Sequence, residues 1–241
     1  MSGMCSRIRP QTASRSAYLI DAATDLFGAN MIGNVTLSCR CGEVRGLVAS
    51  VSPSAVNRVV CYCDDCQAFL HHLGRADLLD AQAGSDIVQI APASLSFVQG
   101  EGRIVGLRLG PRGLYRWYAS CCRTPVGNTV GPAIPFVGII AQAFASDTQR
   151  PGELFGPPIG RIYGKYAIGY APEGSTRLSP WLMARAIGMV LGWRIRGRSW
   201  PHPFFERMPR APKFPVTVLS PSEREALRPL CGPRASLHRA S

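Results

Sequence analysis

Val60-Cys61-Tyr62-Cys63-Asp64-Asp65-Cys66-Gln67 places three cysteines within six residues, as C-x-C-x-x-C. A second pair stands upstream as Cys39-Arg40-Cys41-Gly42, and a third downstream within Ser120-Cys121-Cys122-Arg123-Thr124-Pro125. Thiolates at one- and two-residue spacing suit a soft or borderline metal, because one loop can then present several sulfurs to a tetrahedral ion. Zinc is the default choice. The pattern reads as a zinc protein with one closed site and one site short of a ligand, holding one or two ions per chain.

Disulfides are the competing use of nine cysteines. The number is odd, residues 1–30 contain no continuous apolar segment of secretory type, and C-x-C or adjacent cysteines bridge each other poorly. Metal-bound thiolates in a reducing cytoplasm fit better.

Around these clusters the sequence reads as short strands. Val35, Leu37 and Cys39 alternate with polar neighbours, and a second run follows from Val44 to Val48. The two form a hairpin whose C-R-C-G turn resembles a zinc knuckle, with glycine relieving the backbone so that both sulfurs face one point. Val56 to Cys61 is a third strand. Asp64 or Asp65 caps a short helix running through His72 to Gly74, which places Cys66 in its first turn, where the helix dipole favours a thiolate. Ile87–Ile90, Leu95–Val98, Ile104–Leu109 and Leu114–Ala119 are further strands, the last two joined by Gly110-Pro111-Arg112-Gly113.

Beyond residue 130 the chain becomes rich in Gly and Pro. Phe136 to Ala143 is an apolar strand or short helix, and Ile159 to Tyr166 reads as loop. Ser179-Pro180 opens a helix through Ile195, stopped at Gly197. Its apolar residues cover most of the circumference, but it is shorter than the roughly 20 residues needed to span a bilayer. With Arg194, Arg196 and Arg198 at its end, it fits an interfacial helix, a helix packed on the domain, or a small oligomer contact. Ser220-Pro221-Ser222-Glu223 has capping-box spacing for one more helix.

The net charge is +12, and the Arg/Lys ratio is 25 to 2. Residues 180–241 carry eleven Lys/Arg against three Asp/Glu, whereas residues 33–130 carry nine against seven. Nucleic acid or an anionic membrane surface could answer such a basic tail. Solubility is the preferred reason, and nucleic acid is not an expected partner. Residues 1–32 read as a disordered leader or a misplaced start, although Met1 to Leu19, with Arg7, Arg9 and Arg15 and no acid, has the composition of a transit peptide. Cys5 and Cys231 receive no role. The expected organisation is a leader (1–32), a zinc-binding domain (33–130), and a Gly/Pro-rich connection with a basic helical extension (131–241).

With these motifs in order, the chain resembles the glutathione-dependent formaldehyde-activating enzyme (GFA) family, which includes centromere protein V. The family pattern is C-x-C-G, then C-x-C-x-x-C, then C-x-x-C-G-T-P, and the resemblance covers roughly residues 33–130. It implies a mainly β fold, a β-tent of short antiparallel strands, here with a C-terminal helical extension. It implies a structural zinc on Cys39, Cys41 and the downstream cysteines, and a second zinc on Cys61, Cys63 and Cys66 with its fourth position open. The activity implied is that of a carbon–sulfur lyase on a small thiol–aldehyde adduct, with glutathione or another small thiol as partner.

The sequence departs from that pattern at three places. Aligning Thr124-Pro125 puts Cys122 on the second downstream cysteine and Ala119 on the first, so Cys121 is the available substitute. Two adjacent cysteines on one ion need a strained chain path, which leaves a three-cysteine site or a lost site as alternatives. Arg123 stands where the family has glycine, and Gln67 where it often has a basic residue. His71 or His72 could close the second site. The alternative function is a non-catalytic zinc scaffold that binds its partner through the basic tail. Thiol redox sensing by Cys121 and Cys122 is a third reading.

Overall fold

The structure, a computed structural model, describes residues 33–144 and 154–232. The expected leader of residues 1–32 lies outside them. The described chain is mainly β. A three-stranded sheet has the order β1-β2-β5, with β1 Gly33–Ser38, β2 Arg45–Val51 and β5 Leu95–Gln99. An eight-stranded sheet has the order β10-β3-β4-β9-β8-β7-β6-β11. Its strands are β3 Asn57–Cys61, β4 Ser85–Ile90, β6 Ile104–Arg108, β7 Tyr115–Ala119, β8 Thr124–Thr129, β9 Val137–Ile140, β10 Gly160–Ile162 and β11 Val216–Val218. Neither sheet closes into a barrel.

Both sheets are antiparallel throughout, except where β10 joins β3 and β11 joins β6 in parallel. Alternation explains the three-stranded sheet. On β1 Val35 and Leu37 are buried while Asn34 and Thr36 are exposed. They pack into one cluster with Val48 from β2 and with Val88, Trp117, Val126 and Ile139 from the large sheet. Trp117 is its centre. Its ring stacks on Phe204 at 4.7 Å between centroids, and its Nε1 donates to Thr129 Oγ1 at 2.9 Å.

The sheets are accompanied by the helices α1 Asp64–His72, α2 Pro180–Ile195 and α3 Pro221–Ala226. Ser179 caps α2 by accepting from Leu182 N, and α2 ends before Gly197 at φ 68°. Ser220 and Glu223 form the reciprocal capping box of α3. Each cap follows the local chemistry read from sequence. No helix among the described residues is long and apolar enough to cross a membrane.

The structure departs from the sequence reading in three ways. The boundary expected at residue 130 falls inside the eight-stranded sheet. There β9 lies between β4 and β8, while β10 and β11 form its two edges. Residues 159–166 are not simply loop, since Gly160–Ile162 pair with β3 from Val59 to Cys61. The N-cap position of α1 belongs to Cys63, which makes no side-chain cap hydrogen bond. Asp64 and Asp65 lie in the first turn, where arginines from the C-terminal segment claim their carboxylates.

Candidate metal centres

The turn between β1 and β2 builds half of one cluster. Gly42 has φ 77°, a conformation favourable to glycine, and its N–H donates to Cys39 O at 2.9 Å. Val44 N–H donates to Cys39 Sγ at 3.2 Å, which aims that sulfur inward. The other half is the turn between β7 and β8, where Ala119 pairs with Thr124 and residues 120–123 make the reversal. Arg40 N–H donates to Thr124 Oγ1 at 3.0 Å and ties the two turns together.

Four sulfurs converge. Cys39 Sγ lies 3.5 Å from that of Cys41 and 3.8 Å from that of Cys121, while Cys41 and Cys121 are 3.3 Å apart and Cys121 and Cys122 3.9 Å. Sulfurs about 2.3 Å from a tetrahedral centre are separated from each other by about 3.8 Å, so the set has the dimensions of a metal site. Cys121 and Cys122 both reach it. The left-handed residue of their turn is Arg123, with φ 56°, rather than either cysteine. Burial pushes the Cys122 thiol up, but hydrogen bonds from Thr124 and from the Cys41 backbone outweigh it and bring it to about 6. Burial and neighbouring thiols push Cys39 and Cys121 up.

The second cluster is made by one strand end and one helix start. Cys61 closes β3, Cys63 is the N-cap residue of α1, and Cys66 sits in its first turn, with Cys66 N–H donating to Cys63 O at 3.0 Å. The Cys61 and Cys63 sulfurs are 3.4 Å apart, and the three sulfurs lie within 4.8 Å of one another. No histidine or carboxylate among the described residues joins this group. His71 and His72 lie in the last turn of α1, away from the N-terminal end that carries the sulfurs.

Arg116 completes the setting, a residue that sequence reading passed over. It comes from β7, is 1% exposed, and points a guanidinium nitrogen at Cys66 Sγ at 3.9 Å. The same nitrogen donates to Asn128 Oδ1 at 3.3 Å, and the other terminal nitrogen lies 3.9 Å from Asp65 Oδ2. Hydrogen bonds from Cys61 and Cys63, aided by the Arg116 charge, hold the Cys66 thiol well below its ordinary range despite burial. Cys61 and Cys63 are pushed up by the interactions within the cluster and by burial. A cavity of about 320 Å³ opens on the cluster, and Gln89, Arg116, Asn128, Phe136 and Tyr163 line it beside the cysteines.

The C-terminal segment clamps the helix that carries Cys66. Arg224 donates to Asp64 at 3.1 Å and to Asp65 at 2.8 Å, and Arg228 also binds Asp64. Gln67, one of the departures noted from sequence, is fully buried. Its Nε2 donates to Tyr62 O at 2.7 Å and Tyr166 O at 2.9 Å, and its Oε1 accepts from Gly232 N at 2.7 Å. Gly232 is required there, since a Cβ would lie 1.6 Å from Tyr166 O. Cys231 lies on the same clamp with its Sγ 3.5 Å from Asp64 O, outside both sulfur clusters.

Both clusters could hold a metal ion. The model of a family of unknown function, DUF6151, matches residues 31–211. No curated protein matches the chain. A crystal structure of a Rhodobacter sphaeroides protein matches at 16% identity with a TM-score of 0.33, over 47% of this chain and 90% of that one.

Proposed function

The chain belongs to this family of unknown function, and from its own residues we propose a zinc protein of GFA type that acts on a small thiol or thiol–aldehyde adduct as a carbon–sulfur lyase. Cys39, Cys41, Cys121 and Cys122 form the closed structural site. Cys61, Cys63 and Cys66 form the working site. The observation that carries this reading is the contrast between the two clusters. One is a complete four-sulfur set, whereas the other is a three-sulfur set facing a cavity of about 320 Å³.

Three protein ligands with a remaining position is the pattern of catalytic rather than structural zinc, and zinc so held lowers the pKa of a bound thiol and polarises a carbonyl oxygen. Arg116 offsets the negative charge of three thiolates from within the protein. Its position beside Asn128 also puts hydrogen-bond donors on the cavity wall, suited to the carboxylate of a small thiol such as glutathione. Phe136 and Tyr163 supply apolar walls, and Tyr163 remains 41% exposed. A non-catalytic scaffold would instead call for a fourth side chain on the working cluster, and none of the described residues supplies one.

The test is metal content of reduced protein, followed by spectroscopy of its cobalt-substituted form. Two ions per chain are expected, falling to one in Cys63→Ser and to one in Cys41→Ser. Addition of glutathione should shift the cobalt absorption of the native protein and of Cys41→Ser, but not of Cys63→Ser. An ion count unchanged by Cys63→Ser, or a cobalt spectrum indifferent to thiols, would overturn the proposal.

A further inference from the structure

Helix α2 turns an apolar face to solvent. Met183, Ile187, Leu191 and Ile195 recur every fourth residue and are 44%, 53%, 53% and 85% exposed, and Trp181 at the start of the helix is 58% exposed. At 3.6 residues per turn these five residues lie on one side, opposite the buried Leu182 and Trp193. The charged residue on that side is Arg194, and α2 contains no Asp or Glu. A solvated helix face of this length normally carries mixed charges.

Cations gather where this ridge ends. Arg194 and Gly197 share a cleft of about 470 Å³ with Trp200, Arg207, Met208 and Arg210. Met208 is 88% exposed, and Arg194, Arg196, Arg207 and Arg210 are all exposed, with Glu206 the neighbouring acid. An exposed apolar ridge bordered by arginines matches the two layers of an anionic lipid surface, acyl boundary and phosphate headgroups. Trp181 suits the boundary between those layers. The helix has 16 residues, which fits lying in the interface rather than spanning it. The gathering of four arginines at one end of the ridge favours anionic headgroups as the occupant over a second copy, whose matching surface would bring no acidic cluster to meet them.

We propose that α2 and the 207–210 loop form a docking face for an anionic membrane surface, with α2 lying in the plane of the bilayer. The proposal is independent of the metal chemistry. Flotation of the full chain with phosphatidylcholine vesicles, and with vesicles of equal phosphatidylcholine and phosphatidylglycerol, tests it. Binding is expected on the anionic vesicles alone, weakening as salt rises. The double variant Ile187→Asp/Leu191→Asp should lose binding about tenfold or more, and Arg196→Gln/Arg207→Gln/Arg210→Gln should lose it to a similar extent. Unchanged metal content and circular dichroism would certify that each variant is folded, and the arginine variant carries the test should the first fail to fold. Absent binding to anionic vesicles, or binding indifferent to the folded variants, would overturn the proposal. So would a dimer in sedimentation that Ile187→Asp/Leu191→Asp dissolves, which would assign the face to a second copy.

Discussion

Arg116 shows what one buried charge can do for a thiolate cluster. Three thiolates and a divalent ion carry a net negative charge, and burying it is costly unless a cation is close. Arg116 is that cation, fully inside the protein and 3.9 Å from Cys66 Sγ. Arg116→Met keeps the length and removes the charge. We expect it to weaken metal binding at Cys61–Cys63–Cys66 about 10- to 100-fold and to leave the four-cysteine site unaffected. Chelator competition should then release one ion well before the other. The cysteines themselves were legible because their chemistry is rare and their spacing local. Arg116 was not read, although its signal was present as an arginine between Tyr115 and Trp117 in an otherwise apolar strand. Only the fold reveals that its alternation points toward the sulfurs.

At the scale of elements, α1 depends on the far end of the chain. Gln67, itself fully buried, satisfies two backbone carbonyls and one N–H from three separate segments. Gln67→Ala strands these groups and should cost about 3 kcal/mol. Urea denaturation would register the loss, and limited proteolysis should cut the C-terminal segment sooner than in the native protein. The helices were readable because caps are local: Ser179-Pro180 and Ser220 with Glu223 fix their starts within four residues. The strands β8, β10 and β11 were not. Thr124–Thr129 is buried along its whole length and contains Pro125 and Gly127, so it shows neither alternation nor strand-like composition. Residues 160–162 and 216–218 are strands because a neighbour's backbone is there to pair with, which local sequence does not disclose.

The whole molecule is held by residues that sequence analysis assigned to a separate extension. Phe204 and Phe205 pack on Trp117 and Tyr115, and His202 lies 4.9 Å from the Phe205 ring. His202 is 2% exposed, and its Nδ1 accepts from Phe204 N at 3.1 Å. Burial lowers its pKa to about 4 from an ordinary 6.5. Above about pH 6.5 both folded and unfolded chains hold it neutral. As pH falls from there toward 4, the unfolded chain takes up the proton and the folded chain does not, so stability declines, by about 3 kcal/mol across the window. His202→Asn retains an acceptor for the Phe204 N–H but cannot charge. It should lower stability at neutral pH and flatten this part of the acid dependence, as urea midpoints measured at several pH values would show.

The two three-residue strands at the ends of the large sheet bear on how the protein is made. During synthesis β4, one neighbour of β3, follows it closely, whereas the other, residues 160–162, is made only after β9. The clamp that holds α1 arrives later still, with Arg224, Arg228 and Gly232. The four-cysteine cluster is complete once Cys122 has appeared, roughly a hundred residues earlier. The four-sulfur seat is therefore complete while the residues that clamp the other seat are still to be synthesised. An ion held at that first seat would then tie the β1–β2 and β7–β8 turns together before the helix carrying Cys66 is locked into place.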